Sequence, residues 1–298
     1  MSTEKRTFVV VGASTGLGRA VARELAREHD VIACGRDVDK TRAAVPGAKE
    51  VLRVDLTDLA DVARLGDELA TRGKLDGIIC NAGVQTLGAP RFTRDHIEET
   101  FAVNHLAHYA IVTRLLPQLG RVVFIGSASL DPRERAGRAF GFRGGVYTSA
   151  NALAAGEGDP AVDDQQRAMD RYATSKLCNV LVTYALARRG VDAFALDPGL
   201  MPGTGLARER NAFVRLLWNT VLRALAPLIP GASTIGRSGR ALAWLAATPS
   251  ISGDQRYYDY RRKPLDTWEG ALREDWAADL ERVSKELIAN GGRSVTTA

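Results

Sequence analysis

The 298-residue chain is 45% hydrophobic and 25% charged, with 40 Lys and Arg against 35 Asp and Glu. With that much apolar material, no repeats, no low-complexity tracts and no run of about 18 apolar residues, fibrous, disordered and membrane-spanning classes drop out in favour of one α/β core. The formal charge of +5 is interspersed with many acids, which argues for a solvated surface and against a nucleic-acid-binding one.

Met1 to Arg6 is polar, lacks a signal-peptide pattern and leads into Phe8 to Val11, an apolar β-branched run that reads as a buried parallel strand. Gly12, Ala13, Ser14, Thr15, Gly16, Leu17 and Gly18 follow, and then Ala20, Val21, Ala22, Leu25 and Ala26 mark one face of a helix. Strand, glycine turn and helix in this order cradle a pyrophosphate. Glycine lets the backbone approach closely, and the helix N-terminus offers free N–H groups and the positive end of its dipole. The second strand, Val31 to Cys34, ends at Gly35, Arg36 and Asp37. A carboxylate at such a strand end bonds the 2′-hydroxyl of NAD. Here Gly35 stands at that point and Arg36 follows, and an arginine grips a 2′-phosphate with two parallel hydrogen bonds, so NADP(H) is the expected cofactor. Asp37, one place on, is the opposing detail.

Further apolar strands run from Gly77 to Cys80, from Arg121 to Gly126 and from Ala193 to Leu196. Their alternation with helices, without a linker, predicts a single domain over 1–298: a Rossmann-type doubly wound parallel sheet with helices on both faces. Tyr172 and Lys176 stand four apart, one turn apart on one helix face. An ammonium beside a phenol favours the phenolate, so the pair is expected to lower the tyrosine pKa and to exchange a proton with a carbonyl or alcohol oxygen. Cys34, Cys80 and Cys178 share no metal spacing and read as small core hydrophobes in a reducing cytoplasm. No metal site is expected, and the histidines, with His96, His105 and His108 spread along a helical stretch, read as structural.

In this order the motifs resemble the short-chain dehydrogenase/reductase family over about residues 6 to 260. Gly12-x-x-x-Gly16-x-Gly18 is similar to its cofactor turn, although Val11 stands where a Thr is usual. Asp55, in Val54-Asp55-Leu56, resembles the acid that contacts adenine, and Asn81-Ala82-Gly83 resembles the family's strand end. Asn104, Ser127, Tyr172 and Lys176 match the catalytic positions, and Pro198-Gly199 matches the turn beside the nicotinamide. The resemblance implies that Ser127 bonds the substrate oxygen, that Lys176 holds the nicotinamide ribose and that Asn104 holds a water linking Lys176 to solvent. It also implies a homodimer or homotetramer. Asn104 to Tyr109 and Ser175 to Asn179 resemble the branch holding retinol dehydrogenases and protochlorophyllide reductases. Both use NADP(H) and take large apolar substrates. Two departures stand out. Gly203 occupies the position of a family Thr, with Thr204 beside it as the candidate carboxamide contact. Ala-Thr-Ser follows Tyr172 where protochlorophyllide reductases have Lys-Asp-Ser, which argues against light-driven activity.

Between Ser127 and Tyr172 lie 44 residues, of which 131–170 reads as an insertion over the active-site mouth. An apolar set at helical spacing, Leu206, Phe213, Val214, Leu216, Leu217, Trp218, Val221, Leu222, Leu225, Leu228 and Ile229, predicts a substrate lid over about 200–235; a peripheral membrane contact and a dimer interface are the alternatives. Leu272, Trp276, Leu280, Val283 and Leu287 predict a C-terminal helix over about 271–289. The implied function is reduction of a ketone or aldehyde on a bulky hydrophobic or aromatic substrate. Reduction of a carbon–carbon double bond and NADP sensing without turnover are the alternatives.

Overall fold

A computed structural model describes residues 5–201 and 231–292; Thr204 and the 202–230 part of the expected lid, with its apolar set, lie outside them. Seven strands form one sheet in the order β3-β2-β1-β4-β5-β6-β7. They are β1 (Thr7–Val11), β2 (Asp30–Gly35), β3 (Glu50–Arg53), β4 (Gly77–Cys80), β5 (Arg121–Ile125), β6 (Asp192–Asp197) and β7 (Tyr257–Asp259). Every ladder is parallel, so all the strand C-termini open on one edge. The order reverses between β1 and β4, and a crevice opens at such a switch point. Two strands are missing from the sequence reading: β3 has four residues, and β7 is only Tyr-Tyr-Asp.

Phe8, Val9, Val10 and Val11 are all fully buried because both faces of the sheet are covered. Among the described residues the helices, in chain order, are α1 (Gly16–Leu25), α2 (Val38–Ala44), α3 (Leu59–Ala70), α4 (Glu99–Phe101), α5 (Ala107–Leu115), α6 (Arg135–Ala139), α7 (Ala150–Ala154), α8 (Asp164–Arg188), α9 (Ile235–Ala247) and α10 (Glu274–Ala289). One face of the sheet carries α1 and α9. They approach so closely that a Cβ on Gly239 would lie 2.7 Å from the Cβ of Ala20. The other face carries α3, α5 and α8, with Leu65, Leu69, Ile111, Val112 and Val182 in its core. Behind α8 packs α10, burying Leu280, Val283 and Leu287. The Asp279 carboxylate on α10 accepts from the Tyr147 hydroxyl at 2.9 Å and from Ala150 N at 2.8 Å, which ties down α7.

Three expectations need correction. The C-terminal helix begins at Glu274, and Leu272, in the 3₁₀ turn before it, is exposed. The 131–170 segment holds α6 and α7, and the catalytic helix starts at Asp164, capped by the Asp163 carboxylate on Gln166 N. The Asp-rich approach to that helix was therefore a cap signal. His96 is not helical: it sits at φ +61° in a turn, with its amide bonded to Thr93 O.

The loop before α4 is anchored to α8 by a buried ion pair. Arg171 Nε lies 3.5 Å from Glu98 Oε1, and Arg171 Nη2 donates to Gly88 O at 2.6 Å. Burial raises the Glu98 pKa and lowers that of Arg171. Removing one partner strands the other charge. Arg171→Ala is expected to cost about 3–5 kcal/mol, measured by urea unfolding; wild-type stability would show that the pair anchors nothing.

Candidate active site

The glycine turn closes because its neighbours leave no room for side chains. Gly12, at φ +85°, would place a Cβ 2.7 Å from the Cβ of Ala82, and a Cβ on Gly18 would lie 2.0 Å from Gly12 O. Gly12 N and Ala13 N both donate to Cys34 O, and Asn81 Nδ2 donates to Gly12 O at 3.0 Å. The Asn81-Ala82-Gly83 strand end therefore interlocks with the turn. Thr15, the N-cap of α1, makes no side-chain capping bond, which leaves first-turn amides available to an anion. Gly12, Ser14, Thr15, Gly16 and Leu17 line a cavity of about 1220 Å³, while Gly18 packs behind it.

Arg36, Asp55, Leu56, Asn81, Ala82 and Gly83 line the same cavity. Gly35 is needed for packing, since a Cβ there would lie 2.3 Å from Thr41 Oγ1. Asp37 does not compete with Arg36, because its carboxylate caps α2 by accepting from Lys40 N at 2.9 Å. Asp55 is held by Thr57, whose amide and hydroxyl both donate to Oδ1.

At the other end the cavity is walled by Ser127, Tyr172, Lys176, Pro198 and Gly199. Ser127 caps a 3₁₀ turn, and its Oγ accepts from Ser129 N and Ser129 Oγ, leaving its own proton to donate. Lys176 Nζ lies 5.5 Å from the Tyr172 ring centroid and packs against Gly83, where a Cβ would be 3.3 Å away. The ammonium makes no ion pair among the described residues, and burial lowers its pKa to about 8. Tyr172 departs from expectation. Burial, and then the nearby Asp197, push its phenol well above the ordinary value, and the Ser127 hydroxyl only partly offsets them. Desolvation is the largest cause.

Asn104 lies behind this wall, on a π-helical turn (Ala102–Leu106) between α4 and α5, a distortion frequent at functional sites. Its Nδ2 protons go to Val84 O and Ser175 Oγ, both at 2.9 Å, and Oδ1 accepts from Val84 N at 2.7 Å. The side chain thus staples the β4 loop to α8 and has no N–H left for a water. Ser175 Oγ in turn donates to Tyr172 O, and Asn179 Nδ2 donates to Ile125 O. His108 Nε2 donates to Ala82 O, and His105 sits between Asn179 and Ser284. Burial holds both rings neutral, with pKa values of about 4 and about 3.

Two wall residues carry no site role in the sequence reading, although Asp197 opens the stretch Asp197-Pro198-Gly199 that resembles the protochlorophyllide reductases. Asp197 ends β6, and its Oδ1 accepts from Gly199 N at 2.9 Å; an acid closing the apolar run Ala193 to Leu196 was a readable signal. Tyr257, on β7, covers Gly126, where a Cβ would lie 2.6 Å from its ring, and its hydroxyl has no hydrogen-bond partner among the described residues. No local pattern marks it. No cluster of metal-ligating side chains exists among the described residues, and no helix there is long and apolar enough to cross a membrane.

A doubly wound sheet with a glycine turn at one end of the crevice and a Ser-Tyr-Lys group at the other defines a dinucleotide-dependent oxidoreductase. Residues 6–150 match the short chain dehydrogenase family. The chain is 30% identical over 310 residues to protochlorophyllide reductase A of Oryza sativa subsp. japonica, covering 93% of this chain and 77% of the rice protein. It is 29% identical over 309 residues to protochlorophyllide reductase of Avena sativa, covering 93% and 96%. A solved structure of an uncharacterized protein from Mycobacterium paratuberculosis superposes with TM-score 0.66 at 26% identity, over 95% of this chain and 93% of that one. A protein from Beutenbergia cavernae, described as an NAD(P)-dependent gluconate 5-dehydrogenase with bound NADP, gives 0.55 at 25% identity, over 83% and 94%. The chain belongs to the short-chain dehydrogenase family, on the side of the protochlorophyllide reductases.

The buried ammonium has a measurable cost. Between pH 8 and 10.5 the unfolded chain keeps the Lys176 proton that the folded chain has lost, so stability from this group rises with pH across that window. Lys176→Met is therefore expected to be more stable than wild type at pH 7 by about 3 kcal/mol, with the gap narrowing toward pH 10.5 in denaturant titrations. A pH-independent difference would place the lysine head in solvent.

Proposed function

We propose that the chain is an NADP(H)-dependent reductase acting on the carbonyl of a bulky, largely apolar ketone or aldehyde, with Tyr172 as proton donor. The observation that carries this reading is the convergence of Ser127, Tyr172 and Lys176 on the cavity that begins at the glycine turn. The cradle suits a dinucleotide: Gly12 and Gly18 have no space for side chains, and the α1 N-terminus is uncapped. The turn would hold the pyrophosphate, Arg36 the 2′-phosphate, Asp55 the adenine, and Lys176 the nicotinamide ribose. NADPH, when bound, supplies the hydride.

Ser127 donates a hydrogen bond to the substrate oxygen, where charge develops. Tyr172 passes its proton to that oxygen. Buried as it is, the tyrosine resists ionisation, and the Lys176 charge offsets the cost of the phenolate at about 1.4 kcal/mol per pKa unit. Leu130, Phe140, Phe142, Leu265 and Trp268 give the cavity apolar walls, which fit a large hydrophobic substrate and exclude water. Phe140 and Phe142 come from the 131–170 segment, which on this reading shapes the substrate entrance. The protochlorophyllide reductase relatives favour a second reading, reduction of a carbon–carbon double bond by the same residues. A non-catalytic NADP sensor has no use for a buried lysine beside a tyrosine.

The test is NADPH oxidation against bulky ketones, aldehydes, quinones and conjugated alkenes, with product analysis. Tyr172→Phe is expected to bind NADPH normally in calorimetry yet lose turnover by about 10²- to 10⁴-fold; full activity in the variant would overturn the mechanism. Arg36→Ala is expected to weaken NADPH binding by about 10- to 100-fold while leaving NADH unchanged. An equal loss for both would remove the 2′-phosphate contact.

A further inference from the structure

We propose that Asp197 sets which redox form of the nicotinamide cofactor this site holds more tightly: its carboxylate favours the cationic, oxidised ring over the neutral, reduced one. The inference rests on the function proposed above.

The place of the ring follows from the chemistry. A hydride donor has to reach the carbon whose oxygen is held by Ser127 and Tyr172, so the ring lies at this end of the cavity. Asp197 lines the same wall, between Ser127 and the Pro198-Gly199 turn. Two backbone amides hold its carboxylate, Gly199 N at 2.9 Å and Ala128 N. No cation pairs with it among the described residues. Arg261, on the turn after β7, is bonded to Asp259 instead, Nε to Oδ2 at 2.7 Å. The other titratable groups facing Asp197 are Glu134 beside α6, Asp259 and Tyr257 on β7, and Tyr172 on α8. Arg261 and Lys176 line the same cavity, and the Arg261 guanidinium feels the Asp197 charge, but among the described residues neither is bonded to it, which leaves the carboxylate open to a pyridinium ring.

A half-buried carboxylate held by backbone dipoles gains from a charge of opposite sign brought into the same cavity, which the cofactor itself clears of water. Burial raises the Asp197 pKa to about 6, which makes the interaction adjustable near neutral pH. By linkage, the oxidised cofactor binds better as Asp197 ionises, and the reduced cofactor does not. The 2′-phosphate also titrates near pH 6, but it is common to both forms and cancels in their ratio.

The experiment measures the Kd of NADP⁺ and of NADPH by calorimetry between about pH 5 and pH 8, for the wild-type chain and for Asp197→Asn. The asparagine removes the charge and keeps one acceptor oxygen for the two backbone amides. In the wild type the ratio Kd(NADPH)/Kd(NADP⁺) is expected to rise with pH by about 10- to 100-fold. In Asp197→Asn it is expected to be flat, with NADPH binding preserved. A flat ratio in the wild type, or the same slope in both proteins, would overturn the role of Asp197 and leave the proposed function standing. Failure of the wild type to bind either form would overturn both.

Discussion

A lysine ammonium kept in the protein interior without a carboxylate beside it is the constraint around which this site is built. Lys176 lies under Gly83, one turn from Tyr172, and burial draws its pKa to about 8. The surroundings avoid adding a second charge. His105, on the π-helical turn, and His108, on α5, are kept neutral by burial, and the contacts of α8 made through Ser175 and Asn179, on either side of Lys176, use uncharged amides and hydroxyls. Of the charged side chains that line the cavity, Arg36 stands near the cradle and Asp197 near the reacting centre.

Those uncharged contacts form a chain of staples between strand ends. Asn81 joins the β4 end to the glycine turn, Asn104 joins the β4 loop to Ser175 on α8, and Asn179 joins α8 to the end of β5. Each amide satisfies a backbone group that would otherwise be buried unpaired, a cost of about 1–3 kcal/mol apiece. The same bonds hold three loops in fixed relation. Cradle and reacting centre thus share one rigid frame, as hydride transfer between fixed atoms requires.

Much of this was legible in the sequence. The apolar β-branched strands, the glycine turn and the i, i+4 pair are local patterns with one physical reading, and β1, β2, β4, β5, β6 and the cavity-lining glycines follow from them. The branch motifs Asn104 to Tyr109 and Ser175 to Asn179 contain the staple residues, although nothing local says what they bond. What escaped depends on distance in the chain. Tyr257 matters through a contact with Gly126 made across two strands, and β7 is too short to show periodicity. The Tyr172 expectation failed for a related reason: neighbours in sequence predict an ammonium beside a phenol, but only the packed structure shows the desolvation that raises the phenol pKa and lowers that of the lysine.

The ring of Tyr257 on Gly126 also bears on the order in which the molecule becomes competent. The residues of the glycine turn and of the Asn81-Ala82-Gly83 strand end are made early in synthesis, but α1 gains its packing partner α9 only after Ile235. The residue before Ser127 gains its cover only when β7 arrives, more than a hundred residues later in the chain. Both ends of the cavity therefore draw on the same late stretch of chain: α9 covers the cradle helix and β7 covers the residue before Ser127.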